Sequence, residues 1–234
     1  MGPNLKVITG LFGKRFSRVH PAPLPKRSYV FTNNPTLKNE VQNKGWIYVH
    51  VDKKLVGNYQ ISSLQSKYVK FLEVVKDYPD IFKDSKAIIY VDHKNALTLP
   101  HIKSLLKLSN PGIIIRTTPR KKMNVYHELN ASCRQTRYRR ALGPTQKWIE
   151  KKIDEGYIPE QRVCNTGLML YNLECPFVKS LTQEIYEAVC NTKNPCCQIF
   201  WTILSQRYED KIKIIPFNYL PMSKFKRRGR RKKR

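Results

Sequence analysis

The run Ala87-Ile88-Ile89-Tyr90-Val91 is apolar at five successive positions and ends in Asp92-His93-Lys94. A half-exposed strand alternates apolar and polar residues, so a run that is apolar throughout has both faces covered, as in a central strand with helices on each side. That segment restricts the chain to a layered α/β sheet. It also sets a carboxylate at the C-terminal end of a buried strand, where open α/β sheets form their ligand crevice. A second segment, Val163-Cys164-Asn165-Thr166-Gly167-Leu168-Met169-Leu170-Tyr171-Asn172-Leu173, presents Asn-Thr-Gly before another buried run.

Strand and helix signals alternate along the rest of the chain. Strands are predicted at 5–9, 28–32, 46–51, 112–116, 167–171 and 211–215, from aromatic and β-branched runs bounded by turn residues such as Asn33-Asn34-Pro35. Gly10-Leu11-Phe12-Gly13 reads as the turn after the first strand, where missing side chains let the backbone approach a ligand. Residues 14–26, with Pro21, Pro23 and Pro25, read as a loop. Leu64, Tyr68, Phe71, Leu72 and Val75 recur at helical spacing and predict one helix ending at Tyr78-Pro79, with Lys67, Lys70 and Lys76 on its surface. Pro100 opens a short helix that closes at Asn110-Pro111-Gly112. The charged stretch 120–156 reads as two helical segments separated at Gly143-Pro144, and two later helices carry Phe177, Leu181, Ile185 and Ile199, Ile203, Leu204 inward. The expected fold is α/β, a central mixed, mainly parallel sheet flanked by helices.

The 234 residues, 41% of them hydrophobic, suffice for one substantial core, so one domain over 1–222 is expected, followed by a basic disordered tail at 223–234. No apolar run approaches the roughly 20 residues of a membrane-spanning helix, and the N-terminus lacks a signal-peptide pattern. The six cysteines include no Cys-x-x-Cys pair and read as reduced, packed thiols, in keeping with a soluble cytoplasmic protein. Of the formal charge of +27, nine units come from Lys and Arg between Lys224 and Arg234, which leaves +18 on the remainder. A field of that sign attracts nucleotide diphosphates, nucleic acid and anionic membrane alike.

Six segments occur in a telling order: Val7-Ile8-Thr9-Gly10-Leu11-Phe12-Gly13 with Tyr29-Val30-Phe31-Thr32-Asn33-Asn34; Ser66-Lys67-Tyr68-Val69-Lys70-Phe71; Tyr90-Val91-Asp92-His93-Lys94; Thr117-Thr118-Pro119-Arg120 with Tyr126-His127-Glu128; the Asn165-Thr166-Gly167 segment; and Cys196-Cys197-Gln198-Ile199-Phe200-Trp201. Together they resemble the GT-A nucleotide-sugar glycosyltransferases, in particular the small glycosyltransferase domains of chloroviruses, large DNA viruses of algae, and a related plant group. The resemblance spans roughly Lys6 to Tyr219. It implies a Rossmann-like single domain that binds a nucleoside diphosphate sugar, a UDP-hexose by preference, together with a glycan acceptor, in the host cytoplasm if the protein is viral.

The resemblance also implies a site. Thr9, Gly10, Phe12, Gly13 and Asn33 would surround the nucleoside, with Asn33 standing where an Asp is common. Lys70 would reach the donor. Asp92 lies at the place of an Asp-x-Asp motif that holds Mn²⁺ (or Mg²⁺) against the diphosphate. Lys94 replaces the second carboxylate and would touch phosphate directly, while His93 would complete a Mn²⁺ site. Arg120 and Glu128 would flank the sugar, and Asn165, Thr166 and Gly167 would receive it. Gln198 would lie near the anomeric carbon, with Cys197 where relatives carry an acid. Without a visible base, the expected reaction is retaining, metal-assisted transfer of a hexose or deoxyhexose to a glycan hydroxyl. The alternative is a catalytically eroded module that binds polyanions, nucleic acid or anionic membrane, through the basic surface and tail.

Overall fold

Seven strands form a single sheet in the computed structural model, which describes residues 4–14, 18–108, 112–120 and 123–223, the side chain of Arg137 excepted. They are β1 (Leu5–Leu11), β2 (Ser28–Thr32), β3 (Ile47–His50), β4 (Ala87–Val91), β5 (Ile113–Thr117), β6 (Cys164–Asn172) and β7 (Ile212–Ile215). Their spatial order is β3-β2-β1-β4-β6-β5-β7. β1, β2, β3 and β4 run parallel, β5 and β7 run parallel to each other, and β6 runs antiparallel to both of its neighbours. The fold is therefore the expected α/β class with a mixed, mainly parallel sheet.

The continuous apolar runs of the central strands divide between two cores by alternation. Ile8, Phe31, Ile88, Tyr90, Ile115, Met169 and Tyr171 face one cluster, while Val7, Val30, Ile89, Val91, Ile114, Leu168 and Leu170 face the other. The first face is covered by α3 (Lys67–Lys70), α10 (Pro176–Thr192) and α11 (Cys197–Leu204), the second by α1 (Lys38–Asn43) and α6 (Leu99–Leu106). A third, smaller cluster joins α11 to α7 (Val125–Cys133), α8 (Thr136–Arg139) and α9 (Leu142–Asp154) through Val125, Tyr138, Ile149, Cys196, Ile199 and Ile203.

The helix expected from Leu64 to Tyr78 is broken into pieces. α2 (Tyr59–Gln65) and α3 precede a turn at Leu72, whose φ is +63°, and α4 (Val74–Asp77) and α5 (Pro79–Phe82) follow, so Pro79 opens a helical turn besides closing one. The apolar period still marks the buried face: Tyr68, Phe71 and Leu72 are in the core. Lys67 and Lys70, expected on the surface, are 7% and 4% exposed. Gly143-Pro144 likewise lies inside the first turn of α9, where Pro is compatible with a helix, and the stretch expected to hold two helices holds three among its described residues.

Gly10 is a strand residue in β1, not part of the turn expected there. A Cβ on it would sit 3.3 Å from both Val69 Cβ and Val69 Cγ2. The close approach that this glycine permits is that of α3 to the sheet, and it brings Lys67 and Lys70 over the C-terminal end of β1. The closing turn at Asn110-Pro111 and the tail from Lys224 onward lie outside the described residues.

Candidate functional site

β4 delivers Asp92 at its C-terminal end, and because β6 is antiparallel, its N-terminal end arrives at the same edge. Asp92 N–H donates to Gly167 O at 2.9 Å. That reversal is why two segments far apart in sequence meet. The neighbouring end of β1, the α2–α3 segment, α7 and the start of α11 complete a cleft of about 470 Å³. Of the residues singled out from the sequence, Gly10, Phe12, Lys70, Asp92, His93, Lys94, Glu128, Asn165, Thr166, Gly167 and Gln198 line it.

Thr9, Gly13, Asn33 and Arg120 do not line the cleft. Thr9 is fully buried within β1. Asn33 is spent on the fold: its Oδ1 accepts from Gly13 N–H at 2.9 Å and its Nδ2 donates to Lys54 O and Gln65 Oε1. Gly13, at φ +94°, is needed because a Cβ there would lie 2.2 Å from Ser62 Oγ. Arg120 is exposed, and its charge acts on Glu128 without an ion pair between them among the described residues.

The floor of the cleft is a charged cluster. Lys70 Nζ lies 3.2 Å from Asp92 Oδ1, the same oxygen that accepts from Tyr90 O–H at 2.7 Å, and the Lys70 ammonium also sits 4.9 Å from the centre of the Tyr90 ring. Burial favours the neutral carboxyl, but Lys70, then Lys67 and the Tyr90 hydroxyl outweigh it and hold Asp92 well below the usual carboxylate range. Burial likewise works against the Lys70 cation, and Asp92 overcomes it, so that its pKa is raised. Asp92 Oδ2 makes no hydrogen bond among the described residues. It faces Gly167, where a Cβ would stand 3.0 Å from it and 2.8 Å from Asn165 Oδ1.

Lys67 is the residue the sequence reading left on the surface. It lines the cleft one helical turn from Lys70 and makes no ion pair or hydrogen bond with its side chain among the described residues. Burial lowers its pKa, which Cys197 and Asp92 partly offset. The signal that could have found it is its spacing of three from Lys70, which puts both ammonium groups on one side of a helix.

Also lining the cleft, Glu128 accepts from Cys196 S–H at 3.3 Å, and burial raises its pKa against the opposing effects of that bond and of Arg120. Asn165 Oδ1 accepts from Gly167 N–H at 2.8 Å, so its free capacity is the Nδ2 donor. Thr166 Oγ1 and Cys197 Sγ share a hydrogen bond at 3.3 Å. Burial also lowers His93 to about 4, more than the Asp92 charge can offset, so its imidazole is neutral near pH 7.

A divalent cation held against a diphosphate takes hard oxygen ligands, typically one or two carboxylates. Here one oxygen of Asp92 is already bound by Lys70 and Tyr90, Lys94 stands two residues on, and no group of three His, Cys, Asp or Glu suited to a metal exists among the described residues. Three lysines against two carboxylates line the space. These residues do not fit the Mn²⁺ (or Mg²⁺) site expected from the sequence.

Replacing Gly167 with Ala should test how tightly this edge is built. The new methyl would press on Asp92 and Asn165 together, and the melting temperature is expected to fall by a few degrees as the two side chains shift. The protein should still fold, as read by thermal denaturation; an unchanged midpoint would mean that the edge yields freely.

No helix among the described residues is long and apolar enough to cross a membrane. No protein-family model matches the chain, and no curated protein matches it. Among solved structures, it is similar to a glycosyltransferase involved in the glycosylation of the major capsid of PBCV-1, at 9% identity over 92% of this chain and 82% of that one, with a TM-score of 0.45. It is similar also to mouse xyloside xylosyltransferase 1 in its apo form, at 12% identity over 91% of this chain and 84% of that one, with a TM-score of 0.43.

Proposed function

We propose that the protein transfers a sugar from a nucleoside diphosphate, a UDP-hexose by the sequence resemblance, to a glycan hydroxyl. The observation that carries this reading is one cleft at the C-terminal edge of the sheet lined by two buried lysines together with carboxylate and amide side chains. Anion-binding cations beside sugar-binding amides are what a diphosphate-linked sugar requires. Lys67 and Lys70 would hold the diphosphate as the bond to the anomeric carbon breaks and its electrons pass to phosphate. Asn165 Nδ2 and Gln198 would donate to or orient sugar hydroxyls. Glu128, half-buried and free of ion pairs among the described residues, would take the acceptor's proton.

A base in that role goes with inversion at the anomeric carbon. The retaining outcome expected from the sequence rested on the absence of a visible base; with Glu128 in that role the reading proposed is inversion.

The test is a panel of nucleotide sugars incubated with the purified protein, reading nucleoside diphosphate release and thermal stabilisation together. One donor that stabilises the protein and is turned over supports the transferase reading and names the base and sugar. Silence across the panel, with the protein folded, overturns it.

A further inference from the structure

The Lys67–Lys70 pair has a consequence for how a diphosphate is neutralised. A buried ammonium without a partner is costly, which is why buried lysines are paired or lose their proton. Lys70 has Asp92. Lys67, 7% exposed, has no ion pair or hydrogen bond among the described residues, and its side chain borders open space. A third cation, Lys94, follows from the end of β4 on the rim of the same cleft and is exposed. The carboxylate that would compete for a divalent cation is already half satisfied, through Oδ1, by Lys70 and Tyr90.

We propose that Lys67 and Lys70, assisted by Lys94, neutralise the donor diphosphate directly, and that the protein binds its donor without a divalent cation. The inference rests on the transferase reading for the identity of the ligand, but the chemistry it needs is only that of a pyrophosphate group. Lys67 is the principal contact, because its charge is uncommitted. Lys70 is shared: Asp92 keeps it charged and oriented, and it turns part of its hydrogen-bonding capacity toward the incoming anion. The space around Asp92, positive on balance, would repel a metal ion before the anion arrives and has little need of one afterwards.

Two probes test this on the full chain, inorganic pyrophosphate and UDP, each titrated calorimetrically in EDTA and again with Mn²⁺. The expected result is binding of both in EDTA, with affinity changed less than about twofold by the metal. Lys67→Met should weaken both probes by about tenfold or more, the loss of one charge-assisted contact. Asp92→Asn discriminates further. A metal ligand's removal would abolish binding, whereas here the pyrophosphate charge takes the place of the carboxylate beside Lys70, and binding in EDTA should persist.

If Asp92→Asn is too unstable to purify, Lys67→Met and the EDTA comparison decide by themselves. Binding that vanishes in EDTA and returns with Mn²⁺ overturns the proposal, as does a Lys67→Met protein that binds like the wild type. Metal-free pyrophosphate binding with no turnover of any nucleotide sugar would leave the lysine clamp standing and remove the transferase reading. Turnover that requires Mn²⁺ would do the reverse.

Discussion

Asp92→Asn should lower the melting temperature by roughly 6–12 °C, the largest stability loss expected of any substitution at the cleft. Breaking a buried ion pair by removing one partner costs about 3–5 kcal/mol, because the other charge is left buried and uncompensated. The Asp92 side chain is 37% exposed, which places the effect near the lower end, at about 3 kcal/mol; Lys70, at 5%, has no such relief. In a chain of this size each kcal/mol moves the midpoint by about 2–4 °C. Lys67 adds to the loss, since two lysines a helical turn apart would then face each other with no carboxylate between them.

The same variant has a pH signature. A carboxyl whose folded pKa is depressed contributes stability above its unfolded pKa of about 3.9, and that contribution disappears as pH falls through the lower folded value. Wild type and Asp92→Asn should therefore differ most near neutrality and converge in strong acid. Pyrophosphate should raise the variant's midpoint more than the wild type's, because the ligand restores the missing negative charge. Equal midpoints near pH 7 would mean that Lys70 does not depend on Asp92.

Much of this architecture was legible because central strands advertise themselves. Ala87–Val91 is apolar throughout, which only a strand covered on both faces tolerates, and it fixed both the sheet and the position of Asp92. The Asn165-Thr166-Gly167 segment was legible as part of the site, but its direction was not: whether β6 runs with or against β4 depends on pairing that no local pattern records. The helical period from Leu64 to Val75 found the buried face while missing the break at Leu72, because the period reports burial and not backbone continuity.

The site residues divide along the same line. Asn33 looked like a nucleoside contact by motif, yet its three hydrogen bonds tie Gly13, Lys54 and Gln65 together, a role visible only once the loops are in space. Lys67 failed in the opposite sense. Lysine is the residue most readily assigned to solvent, and what draws this one inward is Gly10, whose missing side chain admits α3 against β1. A glycine in one segment thus sets the environment of a lysine in another, a dependence that reading each segment separately does not expose.

Glu128→Gln should leave the protein folded and reduce transfer by about 10²–10⁴-fold, the usual worth of a positioned general base. The substitution is nearly isosteric, and the new amide oxygen can still accept from Cys196 S–H, so packing around α7 and α11 is kept. The groups acting on Glu128 are Cys196 from the start of α11 and Arg120 from the loop before α7, and Tyr138 of α8 lines the same cleft. Burial is the leading influence and raises the carboxyl's pKa, which brings it nearer the working pH and makes it a better proton acceptor. Because the base acts ionised, wild-type turnover should climb with pH through that raised value and level off above it. In Glu128→Gln the acid limb should flatten, while UDP binding stays unchanged. The anomer released when water serves as acceptor provides an independent reading, since attack on the deprotonating side opposite the diphosphate inverts the centre. A retained anomer, or an acid limb that survives the substitution, would assign Glu128 to sugar positioning and not to proton transfer.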